Sequence, residues 1–243
     1  MTFGMCNMLR LSVLVSSLLL WAAAPALAAD TEGVHLGVAS CAGSTCHGAS
    51  SPVPGANVQL NEYASWVRHD KHSKAHEALF SAESKRIARN LGLGAPETEK
   101  LCLDCHADNP PEVKRGPTFQ ISEGVGCEAC HGGGEKWLSS HTSTPPRAEN
   151  IAAGMYPTDQ PKARAELCLS CHFGAKDKFV THRIMGAGHP RMSFELDTFT
   201  QIQPAHFVID EDYRKRKTVS NGAKTWAIGQ AIYAREVLAA LAD

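Results

Sequence analysis

The chain has 243 residues, of which 43% are hydrophobic and only 7% aromatic. That length suits one ordinary domain, and a core built from protein alone would be lean. A formal net charge of −1 lacks the strongly basic balance that marks nucleic-acid-binding modules, so no nucleic-acid partner is expected.

The first predicted element is a targeting segment. Arg10 precedes the apolar run "LSVLVSSLLLWAAA", and "PALA" then offers Ala26 and Ala28 as the small residues of a cleavage site. Asp30 and Glu32 close the run, which is short for a membrane span. The expectation is a signal peptide over residues 1–28 and a mature domain over 29–243. The mature chain would be periplasmic or otherwise exported, with no membrane span after cleavage. "VASC", ending at Cys41, looks like a lipoprotein box but lies too far past the apolar run to serve as one.

Cys6 leaves with the signal, and the remaining eight cysteines fall into four close pairs, each followed at once by histidine. They read "CAGSTCH" (41–47), "CLDCH" (102–106), "CEACH" (127–131) and "CLSCH" (168–172). Disulfides have no preference for a trailing histidine. A zinc site would need two units to converge on one metal, and a redox dithiol needs one pair rather than four. C-x-x-C-H is the attachment signal of c-type haem: each thiol takes one vinyl group and the histidine ligates iron. The cofactor expectation is therefore four covalently bound haem c groups. The attaching residues would be Cys41, Cys46, Cys102, Cys105, Cys127, Cys130, Cys168 and Cys171. His47, His106, His131 and His172 would be the proximal ligands. The first pair is wider than the others, and double attachment is expected there because a free thiol is a liability in an oxidising compartment.

Between the motifs, Glu62 to Leu91 reads as one helix, with His69, His72 and His76 on one stripe. "PETEK" and "PKARAE" lead helical turns into the second and fourth motifs. Residues 107–120 and 142–160 read as loops. The last element is an apolar helix at about 223–242, expected to be buried against the haem body or against a second copy of the chain. The motifs alternate in flavour, since the first and third share a leading Gly-Val and the second and fourth share Leu-Cys-Leu. The fold class expected is mostly α with extensive loops, a compact multihaem cytochrome organised around its haem cluster. So few residues per haem leave the porphyrins to supply much of the buried apolar surface.

Eight histidines remain for the second axial positions: His35, His69, His72, His76, His141, His182, His189 and His206. Their abundance suits bis-histidine ligation, with Met155, Met185 and Met192 left as packing residues. "THRIMGAGHPR" places His182 and His189 seven apart, with glycines that let backbone approach a porphyrin. Both are expected as distal ligands, and His206 is not.

"SWVRHDKHSKAHEAL" and "GVGCEACHGGGEKWLSSH", followed by another C-x-x-C-H, resemble the tetrahaem cytochrome c-554 family of exported electron carriers over roughly residues 37 to 175. The resemblance implies His72 and His141 as distal ligands. It departs from the family in the wide first motif and in the tail. In the founding carriers the haem of the second motif lacks a distal ligand, a vacancy that the tail histidines could fill here. The function expected is electron transfer between unidentified redox partner proteins through bis-histidine haems. The alternative is a small multihaem reductase acting on a nitrogen or sulfur oxyanion at an open iron.

Overall fold

The computed structural model describes residues 32–56, 58–142, 147–175, 178–219 and 221–242. The signal-peptide reading over 1–28 lies outside the described residues.

The first helix, α1, runs Glu62–His69 and stops at Asp70, whose backbone is extended at φ −90 and ψ 121. The Asp70 carboxylate accepts the backbone N–H of His72 at 3.0 Å and so starts a short 3-10 turn, Lys71–Lys74. A second such turn, Glu77–Phe80, precedes α2, Ala82–Leu91. Ser81 caps α2 by accepting from Ser84 N, and Gly92 ends it in the left-handed region at φ 72. The single long helix expected over 62–91 is thus broken twice. Helical periodicity runs through the break because the 3-10 turns keep nearly the same pattern, whereas the capping side chains Asp70 and Ser81 mark the boundaries.

Helix α3, Lys100–His106, carries the second motif, and α4, Cys127–His131, is the third motif itself. Helix α5, Arg147–Ala152, interrupts the segment read as a loop. Helix α6, Pro161–His172, opens with proline at its first turn, where no N–H is needed, and ends on the fourth motif. A minimal antiparallel hairpin follows, β1 Gly174–Ala175 on β2 Lys178–Phe179. The tail holds α7 His182–Gly186, α8 Leu196–Ile202, α9 Glu211–Arg216 and α10 Gly222–Ala242. The chain is mostly helical with long irregular connections.

Two small cores hold these pieces. One joins Ala165 and Leu169 of α6 to Leu196 of α8 and Ile232 of α10. The other joins Leu79, Leu103 and Ala107. Each core has a motif cysteine at its edge, Cys168 in the first and Cys102 in the second. Helix α10 lies so close to α8 that a Cβ on Gly229 would sit 2.9 Å from the Leu196 Cβ. Its buried stripe is Thr225, Gly229 and Ile232, while Trp226, Leu238 and Leu241 are exposed. The last helix is therefore half covered rather than enclosed. Among the described residues no helix is long and apolar enough to cross a membrane.

Candidate functional site

Each motif histidine faces one other histidine, drawn from elsewhere in the chain. His47 lies opposite His141 with ring centroids 6.1 Å apart, and His172 opposite His72 at 5.9 Å. His106 lies opposite His189 at 6.4 Å, and His131 opposite His206 at 6.2 Å. No ring is shared between pairs. The planes are nearly parallel in the first pair, at 16°, and close to perpendicular in the others, at 88°, 81° and 88°.

Other ring pairs in the molecule, such as Tyr63 with Trp66 at 6.1 Å, share this spacing; what sets these four apart is that every motif histidine has one histidine partner of its own. Trans imidazoles on one metal, with bonds of about 2 Å and about 1 Å more from each nitrogen to its ring centre, have centroids about 6 Å apart.

The outer ring nitrogens are held in a manner that leaves Nε2 for a metal. His106 Nδ1 donates to Ala75 O at 2.9 Å, His141 Nδ1 to Leu138 O at 2.5 Å, and His189 Nδ1 to Pro190 O at 2.9 Å. His47 Nδ1 bonds to Glu62 Oε2 at 2.9 Å and His72 Nδ1 to Asp70 Oδ1 at 2.8 Å. A carboxylate or carbonyl behind a ligating imidazole fixes its tautomer and orientation. The Glu62 hydrogen bond raises the His47 pKa and the Asp70 hydrogen bond raises that of His72. Burial pushes His131 and His172 down to about 4, and also lowers His106, so these rings are neutral near pH 7, as ligation requires.

The cysteines meet in a pattern that mirrors the motif flavours. Cys41 of the first motif lies near Cys127 of the third, and Cys105 of the second near Cys171 of the fourth. Lys178 Nζ reaches Cys171 Sγ at 3.2 Å and Asp104 O at 3.0 Å, tying the hairpin to the second and fourth motifs.

The glycines of "CHGGG" have steric causes. Gly132 has φ +79, and a Cβ there would stand 2.4 Å from Gly154 O. One on Gly133 would stand 2.2 Å from Gly33 O. Buried Glu128, inside the third motif, accepts the backbone N–H groups of Leu36 at 2.8 Å, Gly37 at 2.7 Å and Gly134 at 2.6 Å. His35, Asp108 and Glu128 lie close enough together to hold a cation. Their hydrogen bonds are already made, however: His35 uses Nδ1 on Asp108 at 2.8 Å and Nε2 on Glu32 at 3.1 Å. The cluster anchors the N-terminal segment to the third motif.

Residues 40–132 match the family model described as cytochrome c554 and c-prime. That segment is of the cytochrome c554 type. No curated protein and no solved structure matches the chain. Proteins of that type carry covalently bound haem and transfer electrons, and the donor set of this chain fits that group. Paired sulfurs lie beside every motif histidine, and each of those histidines has an opposed imidazole.

Two positions differ from the sequence reading. His206, which the sequence gives no reason to expect as a ligand, faces His131. His182 begins α7 and is exposed, and among the described residues no other histidine ring lies against it. Seven-residue spacing suggested that His182 and His189 serve two irons. Instead α7 turns His182 outward and delivers only His189, through the left-handed Gly188 at φ 113. "PAHF" around His206 carries no glycine and no helical register, so local sequence could not single it out. Of the others, His69 is exposed, His76 is buried against Phe80, and His35 is buried in the anchor just described.

Proposed function

We propose that this c-type cytochrome is an exported tetrahaem electron carrier with four bis-histidine irons. The axial pairs are His47 with His141, His106 with His189, His131 with His206, and His172 with His72. The observation that carries this reading is the separation of 5.9 to 6.4 Å in all four histidine pairs. A low-spin, six-coordinate iron changes oxidation state with little rearrangement, which suits transfer between redox partner proteins.

The cysteine contacts support two close haem pairs, first with third and second with fourth, within which electrons would pass readily. The reductase alternative needs an open axial place beside cationic groups. Of the two arginines in "HRIMGAGHPR", Arg183 donates to Leu91 O at 3.0 Å. His189 stands where the second-motif haem of the founding carriers has its vacancy. The exposed side of α10 offers Trp226 and Leu238 to a second copy of the chain.

The test is spectroscopic. The oxidised holoprotein should be wholly low-spin and should not bind carbon monoxide when reduced. His189→Ala and His206→Ala should each make one haem high-spin and competent for carbon monoxide, while His182→Ala leaves the spectrum unchanged. A high-spin haem in the unaltered protein would return the reductase to first place.

A further inference from the structure

Helix α10 leaves a wide face uncovered, and the pattern of that face is specific. Thr225, Gly229 and Ile232 are buried on its inner side. On the outer side Ala227, Ala231, Ala234, Leu238 and Leu241 are all exposed, Leu238 at 67% and Leu241 at 78%. Their spacing is 4, 3, 4 and 3 residues. That average keeps one edge of a helix against a second helix along its whole length. From Thr225 to Ala242 the only charged residues are Arg235 and Glu236. Arg235 is already engaged on its own chain, by Glu166 and by Glu236.

The ends of α10 say which second helix fits. A helix carries partial positive charge at its N-terminus and partial negative charge at its C-terminus, ordinarily offset by acidic residues at the start and basic residues at the end. Helix α10 has no acidic residue in its first turn and no basic residue in its last. Its first turn carries instead the exposed Lys224, which makes no ion pair among the described residues. An antiparallel helix of the same sequence corrects both ends at once. It lays its own Lys224 beside the last-turn carbonyls, and its own C-terminal carbonyls beside Lys224.

We propose that α10 is the two-fold contact of a homodimer, paired antiparallel through the seam from Ala227 to Leu241. With the axis level with the Ile232–Tyr233 peptide, Ala231 meets the partner's Ala234 and Ala227 meets the partner's Leu238. Lys224 meets the partner's Leu241, in the last turn. The inner side of α10 packs on α6, the helix that ends in the fourth motif, so the α10 pair lies between the fourth motifs of the two copies. This deepens the reading of α10 given under the proposed function and rests on no axial assignment.

The test is the mass of the intact holoprotein in solution, by sedimentation equilibrium from about 1 μM to about 1 mM. A seam about 21 Å long is at the small end of stable interfaces, so a dimer that dissociates at micromolar concentration is expected. Ala234→Glu and Ala231→Lys change only the outer face. Each should abolish the dimer and leave the haem spectrum unchanged. Mixed one to one, the two variants should recover it, because the antiparallel register sets the introduced lysine opposite the introduced glutamate. Lys224→Glu should weaken the wild-type dimer about tenfold at low salt. A monomer throughout the range, or a dimer that survives Ala234→Glu, would overturn the proposal. Loss in both variants without recovery on mixing would overturn the antiparallel register. So would a monomer that sediments with vesicles of phosphatidylglycerol and phosphatidylcholine overturn the dimer, since the face would then belong to a lipid surface. A high-spin haem in the unaltered protein would strike the axial assignment and not this contact.

Discussion

Replacing Asp70 by asparagine isolates one carboxylate that joins His72 to the tail. Asp70 is 7% exposed. Its Oδ1 accepts from both His72 N at 3.0 Å and His72 Nδ1 at 2.8 Å, and its Oδ2 accepts from Gln203 Nε2 at 3.1 Å. Three donors on one carboxylate favour the ionised form strongly enough to outweigh burial, the largest single effect on it. The pKa therefore falls from an ordinary 3.8 to about 2. At about 1.4 kcal/mol per pH unit, that ionised carboxylate contributes about 2 kcal/mol to stability at neutral pH, after discounting for screening. Because the folded value is the lower one, the contribution is complete above the unfolded value of 3.8 and disappears as pH falls through about 2. Asparagine keeps the shape but must turn an N–H toward one of the same donors. Guanidinium unfolding of the holoprotein, followed in the Soret band, should show Asp70→Asn less stable by about 2–3 kcal/mol at pH 7. The two proteins should converge below pH 2. A variant as stable as the wild type at pH 7, or a gap that persists unchanged in strong acid, would refute the assignment of this energy to the ionised carboxylate.

Glu62→Gln removes the negative charge behind His47, so a first-motif haem ligated there should become easier to reduce, by tens of millivolts (about 59 mV for a tenfold change), as a potentiometric titration would read. Gly132→Ala forces a Cβ into Gly154 O at a positive φ, and should cost about 2–3 kcal/mol in chemical unfolding, with haem content unchanged if the motif still matures. Cys41→Ala should leave the mass of four haems while reducing the first attachment to a single thioether, visible as a red-shifted reduced α-band; loss of a whole haem would mean that Cys46 alone cannot hold it. Leu196→Ala should lower stability by about 2–4 kcal/mol, measured by thermal unfolding, because Leu196 fills the contact among α6, α8 and α10.

What could be read in advance divides along a physical line. Haem attachment is a local covalent requirement, so its cysteines and histidines must be adjacent in sequence, and all four motifs stand out. Helix α6 announces itself through Pro161 and α10 through its apolar composition, because caps and periodicity are also local. The break at Asp70 was hidden because a 3-10 turn preserves the spacing of Trp66, Leu79 and Ile87 well enough to look continuous. An opposed histidine has no local requirement at all. His206 needs only to arrive across from His131, and the segment that brings it there is positioned by contacts such as Gln203 with Asp70 and Thr218 with Asp159. The placement of His182 is instructive too. Glycines near His189 do shape the chain, but they shape it for one imidazole, and Thr181 spends its hydroxyl capping α7 by accepting from Ile184 N.

The histidine pairs also say something about the unfolded chain. Their partners are 94, 100, 83 and 75 residues apart in sequence, so a metal bridging each pair would act as a staple across a large loop. Loops of that size cost an open polypeptide about 4–5 kcal/mol of closure entropy each when cross-linked, and the loops here overlap rather than nest. A haem tethered by its thioethers but not yet by its distal imidazole closes nothing. Release of one distal ligand, by protonation or by a competing small molecule, would therefore loosen a stretch of chain far longer than the contact it breaks, and ligand exchange at a single iron becomes a long-range event in the backbone.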